Sequence, residues 1–262
     1  MPRCERTYER INQNWQFTGP DGKTIPVNLP HTWNAVDGQD GGNDYKRCAC
    51  LYTHDFPMPA HGDDEEIWLE CRGVNASARV TLNGQLLGEH DGGYSTFRFD
   101  ITPFLKAANH LEIVADNSVN DRVYPQKADF TFYGGLYRDV YLLIVPQEHF
   151  ELAYYGTPGI KVTPVLSDDL KTATVTVQTW HNAQSVDITV NGETKTVRDT
   201  AEFVIEKPRL WDGLQDPWLY TATAKLRSGD EVSAAFGIRK IGFDPEKGFL
   251  LNGKAMKLSS RA

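Results

Sequence analysis

Apolar and polar residues alternate along most of this chain with the period of a β-strand. The alternation is clear in residues 67–72, which read Ile-Trp-Leu-Glu-Cys-Arg. Successive side chains of a strand point to opposite faces, so this period predicts a strand with one buried face. The same rhythm predicts further strands at residues 95–101, 110–116, 138–145, 160–166, 172–180, 185–190, 195–206, 219–226 and 231–242. No long segment shows the period of a helix, and the chain is therefore predicted to be all-β.

Three Asn-Gly dipeptides lie between apolar or β-branched runs, at Asn83-Gly84, Asn191-Gly192 and Asn252-Gly253. Both residues tolerate a positive φ, which makes this pair the strongest short signal for a two-residue hairpin turn. Short strands joined by turns at this spacing are typical of β-sandwiches.

A proline marks the predicted boundary between two domains. Residues 139–145 read Asp-Val-Tyr-Leu-Leu-Ile-Val, and Pro146 ends this buried strand because it removes a ladder donor. The block 148–242 then holds about seven strand-like segments, which is the size and rhythm of an immunoglobulin-like sandwich. Residues 243–262 hold only a hairpin, which has to pack on something because an isolated hairpin is marginal in water.

Residues 28–66 show no clear period and are predicted to form a long irregular surface. Loops of this length tend to be either functional or disordered. This one is rich in Gly, Asp, His and aromatic residues rather than in Ser, Lys and Glu, which favours an ordered surface.

Composition and charge exclude several classes of protein. The chain has 262 residues, of which 40% are hydrophobic and 24% are charged, as in a soluble globular protein. A net charge of −8 argues against a nucleic-acid or membrane-surface partner, because phosphate binding needs a basic surface. No apolar run approaches the roughly 20 residues that a membrane span needs. The charged N-terminus lacks an apolar stretch behind it, so no secretory signal is predicted and a cytoplasmic protein is expected.

The chain contains four cysteines, Cys4, Cys48, Cys50 and Cys71. Cys48 and Cys50 are two residues apart and would face the same side of a strand. Neither the count nor the spacing indicates a disulfide framework, and reduced, partly buried thiols of a cytosolic protein are the favoured interpretation. A metal site built from these thiols and His54 is the alternative, which the lack of a Cys-x-x-Cys pair disfavours.

Four regions of the chain carry a family resemblance. Residues 29–45 begin Leu-Pro-His-Thr-Trp-Asn, and residues 73–94 begin Gly-Val-Asn-Ala and end His-Asp-Gly-Gly-Tyr. Residues 129–140 read Asp-Phe-Thr-Phe-Tyr-Gly-Gly-Leu-Tyr-Arg-Asp-Val, which is the most diagnostic string. Residues 210–220 begin Leu-Trp and end Pro-Trp-Leu-Tyr, and the string 236–258 follows them. Together, and in this order, they resemble the N-terminal domains of glycoside hydrolase family 2, which includes β-galactosidases, β-glucuronidases and β-mannosidases.

The resemblance covers essentially the whole chain and implies a domain order. It implies a jelly-roll, sugar-binding β-sandwich over residues 1–147, an immunoglobulin-like β-sandwich over 148–242, and a hairpin over 243–262 that would begin the catalytic barrel. One departure lies at residues 45–52, where two glycines of the family pattern are replaced by cysteines. Another follows Leu258, where the family continues Arg-Gly-Val-Asn and this chain has Ser-Ser-Arg-Ala, which is interpreted as a truncated barrel start.

No catalytic residue is assigned. Retaining glycosidases use two carboxyl groups about 5–5.5 Å apart. The resemblance implies that both are glutamates on barrel strands, and such a barrel takes on the order of 250 residues. The sequence also lacks the Asn-Glu dipeptide that carries the acid/base in this family. The chain alone is therefore expected to be inactive.

The resemblance implies three candidates for sugar binding. Asp129, six residues before Gly135, matches the position from which the family's jelly roll reaches the barrel mouth. A carboxylate accepts hydrogen bonds from neighbouring hydroxyls, and the alternative is a solvated loop aspartate or a turn cap. Asn43 and Asp44, in the Gly-rich first loop, are further candidates, with simple turn chemistry as the alternative. The resemblance implies no metal site in this chain and no cofactor, with a sodium or magnesium ion as an option in the intact enzyme.

Several aromatic residues allow a lectin-like interpretation. Packing in a core or between domains is the commoner role of such rings. His31 is interpreted as a hydrogen-bonded loop residue rather than as a ligand. Trp68 points away from the buried face of its strand and is expected to be either exposed or part of a second packing layer. The rings considered for stacking on sugars are Trp33, Trp68, Tyr94, Trp211 and Trp218.

Three hypotheses of function remain at this point. The leading one is the non-catalytic N-terminal portion of a β-galactosidase-like hydrolase whose intact form acts on a β-galactoside-type carbohydrate. The pattern at residues 129–140 favours a galactosidase over a glucuronidase or a mannosidase. The alternatives are a free-standing carbohydrate-binding module and a structural protein whose exposed apolar surface drives self-association. A homo-oligomer is an open option for all three.

Overall fold

The computed structural model describes residues 6–37, 45–124, 132–153, 156–213 and 215–257. Within these ranges the backbone forms twenty β-strands and one 3₁₀ turn at Thr102–Phe104, so the all-β prediction is confirmed. The chain divides into two compact units, which are described separately. In the part of the chain described, no helix has the length and hydropathy needed to cross a membrane.

Unit 1 comprises Met1–Gln147 and Leu152–Thr157. It is a sandwich of two antiparallel sheets, with strand orders β1-β10-β5-β8 and β3-β2-β4-β9-β6-β7. Neighbours within each sheet are mostly not consecutive in sequence, because the chain crosses between the sheets as the predicted jelly roll requires. Its strands are β1 (Thr7–Arg10), β2 (Trp15–Thr18), β3 (Thr24–Val27), β4 (Ala49–Pro57), β5 (Glu65–Cys71), β6 (Ser77–Leu82), β7 (Gln85–Asp91), β8 (Phe97–Asp100), β9 (Ala108–Asp116) and β10 (Val140–Pro146).

The core of unit 1 lies between its two sheets. Ile67 and Leu69 of β5 belong to the same buried cluster as Tyr52 of β4 and Ile113 of β9. Trp15 is fully buried in this cluster and donates its Nε1–H to the carbonyl oxygen of Ile11 at 2.6 Å. The only hydrogen-bond donor of the indole is therefore satisfied inside the core, as is usual for a buried Trp.

A smaller apolar cluster covers the other face of β5. Trp68 packs there against Leu143, Val145 and Leu152, and all three of these aliphatic side chains are fully buried. Leu152 belongs to the segment Leu152–Thr157 that returns to unit 1 after four residues assigned to unit 2. Trp68 is thus part of a second packing layer, which was one of its two expected environments.

Unit 2 comprises Glu148–Glu151 and Pro158–Ala262. Seven of its strands form a sandwich with sheet orders β11-β12-β15 and β14-β13-β16-β17, around a core that includes the fully buried Phe150 and Phe203. This is the immunoglobulin-like arrangement predicted. A third, three-stranded sheet has the order β18-β19-β20. The strands are β11 (Ile160–Leu166), β12 (Thr172–Thr179), β13 (Val186–Val190), β14 (Glu193–Val197), β15 (Thr200–Glu206), β16 (Tyr220–Lys225), β17 (Glu231–Phe236), β18 (Ile241–Asp244), β19 (Gly248–Leu251) and β20 (Lys254–Ala255).

All three Asn-Gly dipeptides form the hairpin turns predicted for them. They join β6 to β7, β13 to β14 and β19 to β20. Both residues of each pair have positive φ; at the first turn the values are 52° for Asn83 and 83° for Gly84. This conformation defines the turn whose twist matches that of the flanking strands.

The expectation of an irregular stretch over residues 28–66 is wrong for its second half. Strand β4 (Ala49–Pro57) is a nine-residue strand inside the larger sheet of unit 1, paired with β2 and β9. Its inward positions are Cys50, Tyr52, His54 and Phe56. Tyr52 and His54 carry polar groups at these inward positions. The sequence therefore does not alternate between apolar and polar residues here, although the burial pattern of the strand does alternate.

Two long predicted strands are each divided in the structure. Residues 195–206 form the end of β14 and the whole of β15, which belong to opposite sheets of the sandwich. Residues 231–242 form β17 and the start of β18, separated at Gly237, where the side chain of Trp211 packs against the backbone. The interruptions are short, with Arg198 and Asp199 between β14 and β15 and residues 237–240 between β17 and β18.

Candidate functional site

The predicted sugar-binding residues Asn43, Asp44 and Asp129 lie outside the described residues. The residues that follow these segments are described, and they meet. The rings of Tyr45 and Phe132 have their centroids 6.4 Å apart. Two residues that are distant in sequence therefore lie together on unit 1.

The buried side chain of Asn34 holds this place together. Its Oδ1 accepts hydrogen bonds from the backbone N–H of Gly134 at 2.8 Å and from Nδ2 of Asn117 at 3.2 Å. Its Nδ2 donates to Oδ2 of Asp37 at 2.7 Å and to the carbonyl oxygen of Lys46 at 2.9 Å. Asn34 has no exposed surface, and these four bonds use both its donors and both its acceptor sites.

Asn117 is the second member of what we call the amide pair, Asn34 and Asn117. It follows directly after β9 and donates Nδ2–H to the carbonyl oxygen of Lys46 at 3.2 Å. Its Oδ1 accepts the backbone N–H of Cys48 at 2.8 Å, and its own N–H donates to the carbonyl oxygen of Cys48 at 3.2 Å. The amide pair therefore fixes the backbone of residues 46–48 against the end of a core strand.

A carboxylate joins the residues on either side of the segment 38–44. Oδ2 of Asp37 accepts the backbone N–H of Lys46 at 2.8 Å in addition to its bond from Asn34. The N–H of Lys46 and then the amide of Asn34 lower the pKa of Asp37, because both stabilise the charged form. The two ends of this segment are thus held together by a charge-assisted hydrogen bond.

Two glycines allow the segment after residue 131 to lie close to the amide pair. A Cβ atom at Gly134 would collide with the indole of Trp33 and would lie 2.7 Å from Nδ2 of Asn117. Gly135 has a φ of 111°, and a Cβ atom there would lie 2.5 Å from the hydroxyl of Tyr52. Other residues would push this backbone away from the site, so the glycines are required by close approach and by conformation.

His31 is the hydrogen-bonded loop histidine that was predicted. Its Nδ1 lies 2.7 Å from the hydroxyl of Tyr52, and its backbone N–H donates to the carbonyl oxygen of Leu136 at 2.8 Å. Burial lowers the pKa of His31 and raises the pKa of Tyr52, since it disfavours the charged form of each. Both side chains act as neutral structural groups that join β4 to the loops of the site.

Three histidines of unit 1 have a lowered pKa, and desolvation by burial is the largest cause for each: His31, His54 and His90. His54 stacks on Trp15 with ring centroids 4.8 Å apart, and its Nδ1 has no hydrogen-bond partner among the described residues. Protonation of His54 would leave its Nδ1–H without an acceptor at a buried position.

We expect unit 1 to lose stability as the pH falls below about 6.5, the ordinary histidine value. The pKa of these histidines is lower in the folded chain than in the unfolded chain. As the pH falls, the unfolded chain therefore binds protons before the folded chain does, and the stability present above pH 6.5 is lost. Urea unfolding between pH 8 and pH 5 measures this. His54→Phe should reduce the pH dependence, and Thr53→Val, on the opposite face of β4, should retain it. Equal slopes for His54→Phe and the parent chain would contradict the assignment.

The rings considered for sugar stacking have different environments within their own units. Trp33 is partly buried, donates Nε1–H to the carbonyl oxygen of Lys46 at 3.2 Å, and so belongs to the framework of the site. Tyr94 is 52% exposed and meets only Tyr137 edge-on among the described rings. Trp211 and Trp218 lie in unit 2, each with an arginine guanidinium over its face, at 4.7 Å and 4.1 Å. Among the described residues, no group of three or more His, Cys, Asp or Glu side chains is placed to hold a metal ion.

Sequence reasoning missed the amide pair. Asn34 lies in the string that carries the resemblance at residues 29–45, but a loop asparagine is usually assigned to a turn or to solvent. The bonds of Asn34 to Asn117 and Gly134 span 83 and 100 residues, and no local pattern indicates such pairs. The glycine pair at residues 134–135 was a usable signal, because two adjacent glycines after an apolar run often mark a close backbone approach.

Comparison with protein-family models gives two matches. Residues 42–141 match the glycosyl hydrolase 2 galactose-binding domain-like model, and residues 158–239 match the glycosyl hydrolases family 2 model. The first match includes the amide pair's Asn117 and both glycines of the site. The second covers β11 to β17 and so the sandwich of unit 2.

Relatives and solved structures agree with these matches. A β-glucuronidase of Bacteroides fragilis is 34% identical over 95% of this chain and 40% of its own length. A β-galactosidase of Thermoanaerobacter pseudethanolicus is 25% identical over 95% of this chain and 36% of its own length. The crystal structure of an FMN-binding β-glucuronidase from Faecalibacterium prausnitzii superposes with a TM-score of 0.87 at 34% identity, covering 96% of this chain and 42% of the other.

This chain thus spans about 40% of the length of the B. fragilis relative. The matched parts are the β domains, in the order that the sequence resemblance implied. The chain belongs to glycoside hydrolase family 2, and it matches the N-terminal domains of that family's β-glucuronidases and β-galactosidases.

Proposed function

We propose that this chain supplies the sugar-facing, non-catalytic β domains of an enzyme that hydrolyses β-glycosides. The division proposed is a sugar-binding jelly roll over residues 1–147, an immunoglobulin-like domain over 148–242 and the start of a catalytic domain over 243–262. The family-model matches at residues 42–141 and 158–239 support the first two parts. The activity itself is proposed from relatives that are more than twice as long as this chain.

One observation carries the proposed sugar contact. The amide pair binds residues on both sides of the segment 38–44 and, at Gly134, the chain just after residue 131. Asn43 and Asp44 immediately precede Tyr45, and Asp129 is three residues before Phe132, whose ring meets that of Tyr45. The chain length of about 3.8 Å per residue sets an upper limit on how far each of the three can be from this contact. We therefore propose that Asp129, Asn43 and Asp44 jointly accept and donate hydrogen bonds to sugar hydroxyls.

A β-galactoside is the substrate class that the string at residues 129–140 favours. A β-glucuronide is the second candidate, because the B. fragilis β-glucuronidase shares 34% identity with this chain, against 25% for the Thermoanaerobacter β-galactosidase. The alternatives of a free-standing carbohydrate-binding module and of a self-associating homo-oligomer stay predictions, as does a cytoplasmic location.

The role of Asp129 is tested in a chimera that joins this chain to the remainder of the B. fragilis β-glucuronidase. Asp129→Asn is expected to lower kcat/KM by about 10- to 100-fold, the effect of losing a hydrogen bond to a charged group worth about 1.5–3 kcal/mol. The matched control is Asp63→Asn, which alters an exposed aspartate of unit 1 and should keep the parent kcat/KM. Equal kcat/KM values for the two variants would refute a sugar contact at Asp129.

The sugar class is tested on the chain itself by saturation-transfer NMR, which detects millimolar binding. Galactose and lactose are expected to receive saturation from the protein, and Asp129→Asn should abolish it. Transfer to glucuronic acid alone would favour the second candidate. Transfer to neither sugar would count against a free-standing binding module.

A further inference from the structure

The three Asn-Gly turns share one backbone conformation but differ in what holds the asparagine. The φ of the asparagine is 52°, 49° and 51° at residues 83, 191 and 252, and that of the following glycine is 83°, 83° and 79°. The residue before each asparagine is a leucine or a valine. The intrinsic chemistry of the three sites is therefore closely matched, and a difference in reactivity has to come from the surrounding structure.

Asn83 is bound to neighbouring segments by both its backbone and its side chain. Its N–H donates to the carbonyl oxygen of His110 at 2.9 Å, and its Oδ1 accepts the N–H of His110 at 2.9 Å. Its Nδ2 donates to the carbonyl oxygen of Phe104 and to Oδ1 of Asn109, both at 2.9 Å. These bonds hold the residue in its turn conformation.

Asn252 has the same kind of attachment in unit 2. Its N–H donates to the carbonyl oxygen of Lys240 at 2.8 Å, and its Oδ1 accepts the N–H of Lys240 at 2.9 Å. Its Nδ2 donates to the carbonyl oxygen of Trp211 at 3.1 Å and to Oδ1 of Asp212 at 3.3 Å. Asn252 is also 93% buried, because only 7% of its surface is exposed.

Asn191 lies at the exposed tip of the hairpin that joins β13 to β14. Among the described residues, its side-chain amide has no hydrogen-bond partner. Strand β14 is the edge strand of its sheet and pairs with β13. Opening of this turn is therefore expected to cost less than opening of the other two.

We propose that Asn191 is a site of spontaneous deamidation, at which water converts the side-chain amide to a carboxylate, and that hydrogen bonds protect Asn83 and Asn252 from the same reaction. The site lies outside the proposed sugar contacts and does not depend on them.

The reaction balances in two steps. The backbone nitrogen of Gly192 loses its proton and attacks Cγ of Asn191, and the side-chain nitrogen takes up a proton and leaves as ammonia. The product is a five-membered succinimide ring, and the missing side chain of Gly192 leaves the attacking nitrogen unhindered. Water then opens the ring at either carbonyl, which leaves an aspartate or an isoaspartate.

The folded turn has to open before the ring can close. In a turn of this type the ψ of the asparagine is about +30°, which places the glycine nitrogen nearly trans to Cβ about the Cα–C bond. The nitrogen cannot reach Cγ from there. The rate at each site therefore depends on how often the turn opens, and each hydrogen bond on the asparagine lowers that frequency.

The product would alter the start of β14. Glu193 follows the turn and pairs with Lys195, with Oε1 and Nζ 3.2 Å apart. A carboxylate at residue 191 would bring a second negative charge to this end of the strand. An isoaspartate would also add a backbone carbon to a two-residue turn, which should disturb the pairing of Val190 with Glu193.

The test incubates the whole chain in mildly alkaline buffer made with water that is labelled with heavy oxygen. Carboxylates formed during the incubation carry the label, and those formed later, during digestion in ordinary water, do not. Trypsin places the three asparagines on separate fragments, residues 80–98, 172–195 and 248–254. We expect label to enter fragment 172–195 about 10- to 100-fold faster than the other two, because their asparagines must first break several hydrogen bonds.

Two controls separate protection by the structure from intrinsic reactivity. The urea-unfolded chain has lost the bonds of all three turns and should take up label at similar rates in the three fragments. The variant Asn191→Gly keeps a residue that tolerates positive φ but has no amide, so fragment 172–195 should then stay unlabelled.

Three results would overturn the proposal. The first is equal rates at the three sites of the folded parent chain. The second is an unlabelled fragment 172–195 in the folded parent chain when the unfolded chain reacts. The third is label that persists in this fragment of Asn191→Gly, which would assign the reaction to another residue. The first two are read from the parent chain and do not depend on how well a variant folds.

Discussion

Replacing Glu70 by methionine is expected to destabilise unit 1 by about 3–5 kcal/mol, because it leaves a buried guanidinium without a counter-charge. Glu70 is 2% exposed at its side chain and binds Arg98, which is 8% exposed, through a 2.7 Å bond between Oε2 and Nε. Oε1 of Glu70 binds Nε of Arg72, also at 2.7 Å, and that arginine is 43% exposed. Most of the lost stability should come from Arg98, the buried partner, and little from Arg72, the exposed one.

Urea unfolding measures this when it is followed by labelling of Cys71, a fully buried thiol that reports on unit 1 alone. The matched control is Arg72→Met, whose expected cost is about 0–1 kcal/mol because the Arg72 side chain is 43% exposed and Glu70 keeps its buried partner Arg98. The double variant Glu70→Met/Arg98→Met should recover much of the loss, since it removes both charges together. The assignment fails if Glu70→Met costs no more than Arg72→Met.

Replacing Asn34 by leucine is expected to destabilise unit 1 by about 3 kcal/mol. The substitution removes a hydrogen-bond partner from buried groups on several segments, among them the N–H of Gly134 and the Nδ2 of Asn117. A buried donor without a partner costs about 1–3 kcal/mol, and the individual losses do not add in full because the site can relax.

The control for this prediction is Asn28→Leu. Asn28 is exposed and accepts a single bond from the backbone N–H of Asn14 at 3.0 Å, so its loss should cost about 0.5–1 kcal/mol. The same thiol-labelling measurement on Cys71 compares the two variants. A cost for Asn34→Leu as small as that for Asn28→Leu would mean that the amide pair does not stabilise unit 1.

The strands that follow a simple alternation could be predicted from the sequence, and those that do not were missed. Strand β11 (Ile160–Leu166) begins and ends at the predicted residues, and all three Asn-Gly turns form as expected. Strand β4 was missed because Tyr52 and His54 occupy inward positions, where the pattern needs apolar side chains. The hydroxyl of Tyr52 is accommodated by a contact from another segment, the hydrogen bond between it and Nδ1 of His31.

The candidate site was predictable only in outline. The strings at residues 29–45 and 129–140 contain Tyr45 and Phe132, which meet in the structure, but they did not indicate the contacts of the amide pair. The bonds of the amide pair span 83 and 100 residues, and the ion pair of Glu70 and Arg98 spans 28. Such pairs exist only once the sheets have brought the segments together, so they leave no periodic trace in the chain.

The hydrogen bond between Asp37 and Lys46 makes the sandwich of unit 1 largely independent of the residues between them. Because this bond joins the two sides of the segment at its base, residues inserted or exchanged between them add only a slowly growing closure entropy. Such changes would therefore have little effect on the stability of the sandwich. Residues 38–44 could therefore vary while the supporting domain stays the same, which under the proposed function would alter the sugar contact, and a new recognition sequence could be grafted between the same two residues.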